Sequence, residues 1–207
     1  MTANGRMGGK ILADGLKAQG VDAIFGVPGE SFLALLDGLY DQRDTIRFIT
    51  CRQEGGAANM AEAYGKLTGR PGVCVVTRGP GATNASVGLH TAFQDSTPMI
   101  LMVGQVGREM LDREAFQEVN HQIFFSEMSK WSAEIKDASR IPEYLSHAFH
   151  VALSGRPGPV VLSLPEDMLR DVAEVEDAPR AIPVQPAPSM EQMSEVREML
   201  ENAERPL

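Results

Sequence analysis

Two glutamates stand where short apolar runs give way to glycine-containing loops: Glu30 in Gly26-Val-Pro-Gly-Glu30, and Glu54 in Arg52-Gln-Glu-Gly-Gly-Ala-Ala-Asn59. A carboxylate at such a junction can simply complement the dipole of the helix it opens. It can also serve a ligand, because open α/β sheets bind ligands outside the carboxyl ends of their strands. The glycines and alanines behind Glu54 permit close approach of a ligand or a second backbone, which raises the functional reading. A third segment, Gly79-Pro-Gly-Ala-Thr-Asn84, matches part of the Gly-x-Gly-x-x-Gly dinucleotide fingerprint. Three features oppose that use: Asn84 stands at the third glycine, Pro80 lacks the amide a phosphate would want, and the next apolar run ends in Val103-Gly-Gln105 without an acid for a ribose hydroxyl. A fourth, Ala115-Phe-Gln-Glu118, precedes His121, and a lone histidine is first a surface or packing residue. No Ser-His-Asp order, His-Glu-x-x-His or other metal-ligand spacing is visible, so no metal ligand is assigned. Cys51 and Cys74 sit in apolar stretches without Cys-x-x-Cys spacing and read as buried free thiols.

These groups need elements to hold them, and the periodicity supplies an alternating series. After an irregular start over Met1–Gly8, Ile11, Leu12 and Leu16 mark a helix closed by Gly20, and Val21–Val27 reads as a buried strand. Ser31 is the candidate cap of a second helix carrying Phe32, Leu35, Leu36, Leu39 and Tyr40. Strands are expected at Ile46–Cys51, Val73–Thr77, Met99–Val103, Trp131–Ile135 and Val160–Leu164. Helices are expected around Ala57–Leu67, Ala82–Phe93 and Ile141–Ala152, with Pro142 tolerated in a first turn. Gly69-Arg-Pro-Gly72 and Gly155-Arg-Pro-Gly158 look like the same helix-to-strand turn used twice. Strands alternating with helices predict an α/β fold: three layers, α/β/α, around a mainly parallel central sheet. In such a sheet the strands ending near Val27, Cys51 and Thr77 bring Pro28, Glu54 and Pro80 to one cleft.

The composition changes beyond Arg170. Residues 1–170 read as one domain, 171–189 as an acidic, proline-rich linker, and 190–207 as the first helix of a central domain cut short. The net charge of −9, from 19 basic and 28 acidic residues, offers no basic run for nucleic acid or an anionic membrane. The longest aliphatic runs fall far short of the roughly 20 residues that span a bilayer. No secretory leader is evident, and a cytoplasmic protein is expected.

Taken in order, Gly26-Val-Pro-Gly29, Gln53 to Gly65, Gly79 to Asn84, Asp95-Ser-Thr-Pro98, Ala115 to Glu118 and Gly155 to Pro159 resemble the N-terminal pyrimidine-binding domain of thiamine-diphosphate enzymes, closest to the acetolactate synthase group. The resemblance covers about residues 8 to 170. It implies an enzyme domain acting on 2-oxo acids, by decarboxylation and carboligation, with thiamine diphosphate as cofactor. It implies that Glu54 hydrogen-bonds N1′ of the aminopyrimidine and is the catalytic residue that activates it. Pro28, Gly29, Thr77, Pro80 and Asn84 would shape the cofactor pocket, and Glu30, Phe116, Gln117 and Lys130 would line the substrate approach. Mg²⁺ and the diphosphate would be held by a separate diphosphate-binding domain of a second subunit, within a homodimer or tetramer. FAD is left open for the full-length protein.

Two departures divide the implied reaction. Acetolactate synthases usually carry a small residue where Glu30 stands, whereas pyruvate-decarboxylase-type enzymes place an acid there. Those decarboxylases typically add a His-His pair after the fourth strand, and the connection that follows Met99–Val103 carries only the single His121. A 2-oxo-acid decarboxylase domain, a separate small subunit and a non-catalytic α/β binding module are the alternatives.

Overall fold

The computed structural model describes residues 5–184 and 186–206; Met1–Asn4 of the irregular start, Gln185 of the proline-rich stretch and Leu207 lie outside them. The chain runs β1 (Arg6–Met7), α1 (Gly8–Ala18), β2 (Ala23–Gly26), α2 (Leu33–Asp41), β3 (Arg47–Thr50), α3 (Glu54–Thr68), β4 (Gly72–Val76) and α4 (Gly79–Gln94). It continues through β5 (Met99–Gln105), α5 (His121–Phe124), β6 (Trp131–Glu134), α6 (Ile141–Leu153), β7 (Pro159–Pro165), β8 (Val172–Ala173) and α7 (Met190–Glu201). Six strands form one sheet in the order β3-β2-β4-β5-β7-β6, and every neighbouring pair is parallel. The expected three-layer α/β/α architecture is what is found.

Alternation along the strands builds the two outer layers. Val73 and Val75 of β4, Ile100 and Met102 of β5, and Val160 and Leu162 of β7 share one core with Ile11, Leu12 and Leu16 of α1 and Ile141, Leu145 and Phe149 of α6. The intervening Cys74, Val76, Leu101, Val103 and Val161 face the opposite core, which α3 and α4 fill with Ala57, Ala58, Ala61, Ala82, Ala85 and Leu89. Strands buried on both faces read as unbroken apolar runs, which is why they stand out in the sequence. The repeated Gly-Arg-Pro-Gly turn ends α3 and α6 alike, with Gly69 and Gly155 both in the left-handed region at φ 68° and 60°.

Some local expectations change. Ser31 caps no helix: it lies inside a single 3-10 turn, Glu30–Phe32, and its hydroxyl pairs with that of Thr77 at 2.9 Å. The start of the chain is not all irregular, since β1 pairs antiparallel with β8. The segment beyond Arg170 lies against α1 as far as Ala181. Arg6 donates to the Val175 carbonyl and ion-pairs with Asp177, while the buried Gln19 side chain donates to Pro179 O and accepts from Ala181 N–H. Helix α7 opens on a Ser189–Gln192 capping box and is exposed along its whole length.

Candidate active site

With all six strands parallel, the loops after β2, β3 and β4 open on the same edge of the sheet. The loop after β2 carries Val27, Pro28 and Gly29. It touches the loop after β4 so closely that a side chain on Gly29 would bring its Cβ within 2.8 Å of Thr77 Cβ. Glu54 is the first residue of α3, behind Gln53, whose side chain accepts from Gly56 N–H at 2.8 Å and caps the helix. Helix α4 starts at Gly79-Pro80-Gly81, with proline in its first turn, and Asn84 on its next turn donates to Glu54 Oε2 at 3.0 Å. Pro28, Gly29, Glu54, Thr77, Pro80 and Asn84 therefore share one edge. Glu54 is half-buried, and its other carboxylate oxygen accepts no hydrogen bond among the described residues. That leaves an acceptor able to take a proton-bearing ring nitrogen from a ligand.

The residues expected along a substrate approach separate. Gln117 lies against the start of α4: a Cβ on Gly79 would come within 2.6 Å of the Gln117 carbonyl oxygen. Phe116 beside it is 72% exposed. Glu30 reaches Arg78, whose Nη2 donates to Glu30 Oε1 at 2.5 Å. Lys130 sits elsewhere. It precedes β6, on the amino edge of the sheet, and donates to the carbonyls of Val151 and Ser154 at the end of α6. Parallel strands place the two ends of the sheet on opposite sides, so Lys130 cannot line a cleft at the carboxyl ends.

Arg78 is absent from the sequence-derived candidates, although a basic residue between a buried strand and a Gly-Pro-Gly turn is itself a signal. Its side chain is only 8% exposed. Beyond Glu30, its Nη1 lies 3.6 Å from Glu166 Oε2, and Nε has no partner among the described residues. His121 is buried, with Nδ1 2.8 Å from Ser163 Oγ, and burial pulls its pKa down to about 4. Glu118 staples its own loop by accepting from Asp112 and Ala115 N–H groups, which hold its carboxyl below the usual range. Cys74 is buried, which pushes its thiol pKa up, and Cys51 is half-buried; both are free. A cavity of about 160 Å³ lies at the amino edge, between Asp22, Tyr64, Arg70, Phe149 and Arg180, away from Glu54. Among the described residues no group of three or more His, Cys, Asp or Glu could hold a metal ion, and no helix is long and apolar enough to cross a membrane.

Known proteins share this chain's pattern. Residues 6–124 match the family described as thiamine pyrophosphate enzyme, N-terminal TPP binding domain. The mitochondrial acetolactate synthase catalytic subunit of Aspergillus candidus is 39% identical over 183 residues, covering 88% of this chain and 26% of that protein. The probable acetolactate synthase large subunit of Methanocaldococcus jannaschii is 40% identical over 172 residues, 83% of this chain and 29% of that one. The acetolactate synthase isozyme 2 large subunit of Escherichia coli (strain K12) is 35% identical over 200 residues, 97% of this chain and 36% of its own length. The chain thus spans between a quarter and about a third of these relatives. With more than half of its residues inside the family match, the chain belongs to the thiamine pyrophosphate enzymes and contains their N-terminal TPP-binding domain.

Proposed function

We propose that this chain is the pyrimidine-binding part of an acetolactate-synthase-like enzyme that acts on 2-oxo acids, with Glu54 as the residue that activates the cofactor. The observation that carries the reading is the half-buried Glu54 carboxylate at the start of α3, steadied on one oxygen by Asn84 and open on the other. That donor set fits the aminopyrimidine of thiamine diphosphate, whose N1′ needs a carboxylate partner. When bound, thiamine diphosphate supplies the carbanion chemistry at its thiazolium C2. The chain's own part is positional: Glu54 holds a proton at N1′, Asn84 orients Glu54, and Gly29, Thr77 and Pro80 shape the walls. Pro28 stands at the mouth, with Phe116 and Gln117 along the approach. The diphosphate and Mg²⁺ are assigned to a diphosphate-binding domain of a second subunit, and the working unit to a homodimer or tetramer. The activity is of transferase or lyase type, and the domain alone has no turnover.

Carboligation is favoured over simple decarboxylation by two observations. His121, the one histidine near this edge in sequence, is buried against Ser163 instead of facing a cleft. Glu30, the acid of decarboxylase type, accepts from the Arg78 guanidinium and is committed to that ion pair.

Glu54→Gln in the full-length protein tests the central assignment. Glutamine keeps the shape and a hydrogen bond but cannot exchange a proton with N1′. Proton–deuterium exchange at C2 of the cofactor, followed by NMR, should slow by ~10²–10⁴-fold, the usual size of a general acid–base contribution. Exchange as fast as in the unsubstituted enzyme would reduce Glu54 to a helix-terminal acid.

A further inference from the structure

Three loops of the site edge meet on one guanidinium. Arg78 comes from the loop after β4, Glu30 from the loop after β2, and Glu166 directly follows β7, where its N–H donates to Gln105 O at the end of β5. The Arg78 side chain is 92% buried by the same measure that leaves Glu30 68% exposed and Glu166 30% exposed. A buried charge persists only when it is paired, because the protein must replace the hydration it removes. Here the pairing is lean. Only the Glu30 contact, at 2.5 Å, is a hydrogen bond; Glu166 stands at 3.6 Å and Nε has no partner among the described residues. Most of the stabilisation of the guanidinium therefore falls on Glu30, and Glu30 in turn anchors the loop that carries Pro28 and Gly29. That loop is held a second time by the Ser31–Thr77 hydroxyl pair and by the fit of Gly29 against Thr77.

We propose that Arg78 is a positioning residue: by holding Glu30, the guanidinium sets the place of the Val27–Gly29 loop against Thr77, and so the width of the wall that receives the cofactor's pyrimidine. It touches protein groups only and takes no part in proton transfer. The proposal rests on the pyrimidine-site reading above, and it adds a residue outside that reading's own set. It also explains why an acid at position 30 is compatible with an acetolactate-synthase-like chain. The carboxylate faces an arginine that uses it as an acceptor.

The test is a titration of the 207-residue chain with thiamine diphosphate, followed by amide ¹H–¹⁵N correlation spectra. In the unsubstituted chain the amides of Gly29, Glu54, Thr77 and Asn84 should shift on addition of the cofactor. Arg78→Met should keep a folded spectrum and the shifts at Glu54 and Asn84, lose those at Gly29 and Thr77, and weaken apparent affinity about tenfold. Arg78→Lys should restore part of the effect, because it keeps the charge but not the planar fork. Glu30→Gln, a change at an exposed side chain, should reproduce the Arg78→Met pattern, and it decides the matter if Arg78→Met does not fold. A merely structural arginine would lower stability while leaving these shifts and the affinity as they were; that result in a folded variant overturns the positioning role alone. Absence of any shift at Glu54 and Asn84 in the unsubstituted chain would overturn the pyrimidine-site reading and this proposal with it.

Discussion

The hydrogen-bond network around His121 determines its tautomer. Gln105 is oriented by its own neighbours: Oε1 accepts from Val106 N–H at 3.0 Å and Nε2 donates to Val119 O at 2.8 Å. Its Nε2 therefore faces His121 Nδ1, 3.4 Å away, as a donor, and Ser163 Oγ lies 2.8 Å from the same nitrogen. An amide donor on that side favours Nδ1 as the acceptor, which assigns the ring proton to Nε2, a buried atom without a partner among the described residues. A second proton would have to enter at Nδ1, against an amide donor. This agrees with the fall of the pKa to about 4 through burial. The sign of the consequence follows. Between the ordinary value of 6.5 and about 4 the unfolded chain takes up a proton that the folded chain refuses, so stability declines as pH falls through that window. The full effect is about 3 kcal/mol. Urea midpoints measured across this range should fall less steeply in His121→Gln than in the unsubstituted chain, and equal slopes would show that His121 is not the group responsible.

Small residues decide the spacing of α3 and α4. A Cβ on Gly88 would lie 2.6 Å from both the carbonyl carbon and the Cβ of Ala58, and one on Gly55 would come 3.1 Å from Asn84 O. The two backbones therefore pass in direct contact, which sets the starts of the helices side by side and lets Asn84 reach Glu54. Gly88→Ala opposes two effects. Alanine favours a helix interior by about 1 kcal/mol, but overpacking a tight site costs roughly 1–3 kcal/mol. Because the nearest atoms include backbone, which cannot rotate aside, the clash should win, with a net loss of up to about 2 kcal/mol on denaturation. Gly56→Ala, on the exposed side of α3 with nothing within 4 Å, should instead gain about 0.5–1 kcal/mol. Opposite signs for the pair would establish close helix contact; two gains would mean the helices separate easily.

For the whole molecule, closure at the amino edge depends on the segment that follows the last sheet strand. It crosses α1 and is fastened by Gln19, only 4% exposed, which bonds Pro179 O at 3.0 Å and Ala181 N–H at 2.8 Å. Arg6 completes the fastening through Asp14, Val175 and Asp177. Gln19→Ala removes both backbone contacts and leaves the buried Ala181 N–H and the partly buried Pro179 carbonyl to find water, at a cost of about 1–3 kcal/mol. That cost falls first on local opening of this segment, which joins the core only at its margin through Ala173, Val175 and Ala181. Hydrogen exchange at the Ala181 amide should quicken by about tenfold or more while β4 and β5 amides keep their protection. Unchanged exchange at Ala181 would show that apolar contacts, not Gln19, hold the segment.

The amino-acid sequence by itself determined the order and type of the main elements. It also determined the common edge of Pro28, Glu54 and Pro80, since alternating strands and helices make the strands parallel and parallel strands end together. Those signals are carried by residues a few positions apart: unbroken apolar runs for strands buried on both faces, three-to-four spacing for helices, Gly-Arg-Pro-Gly at their ends. Tertiary structure alone decided the rest. Local pattern contains neither the strand order nor the fastening of the acidic, proline-rich stretch to α1. Ser31 looked like a cap because caps are local, yet its partner is Thr77, brought beside it only by the pairing of β2 with β4. Arg78 and His121 show the physical reason most directly. Whether a polar side chain is a surface group or a buried, paired one depends on burial and pairing by atoms distant in sequence, and for Arg78 the pairing partners are Glu30 and Glu166.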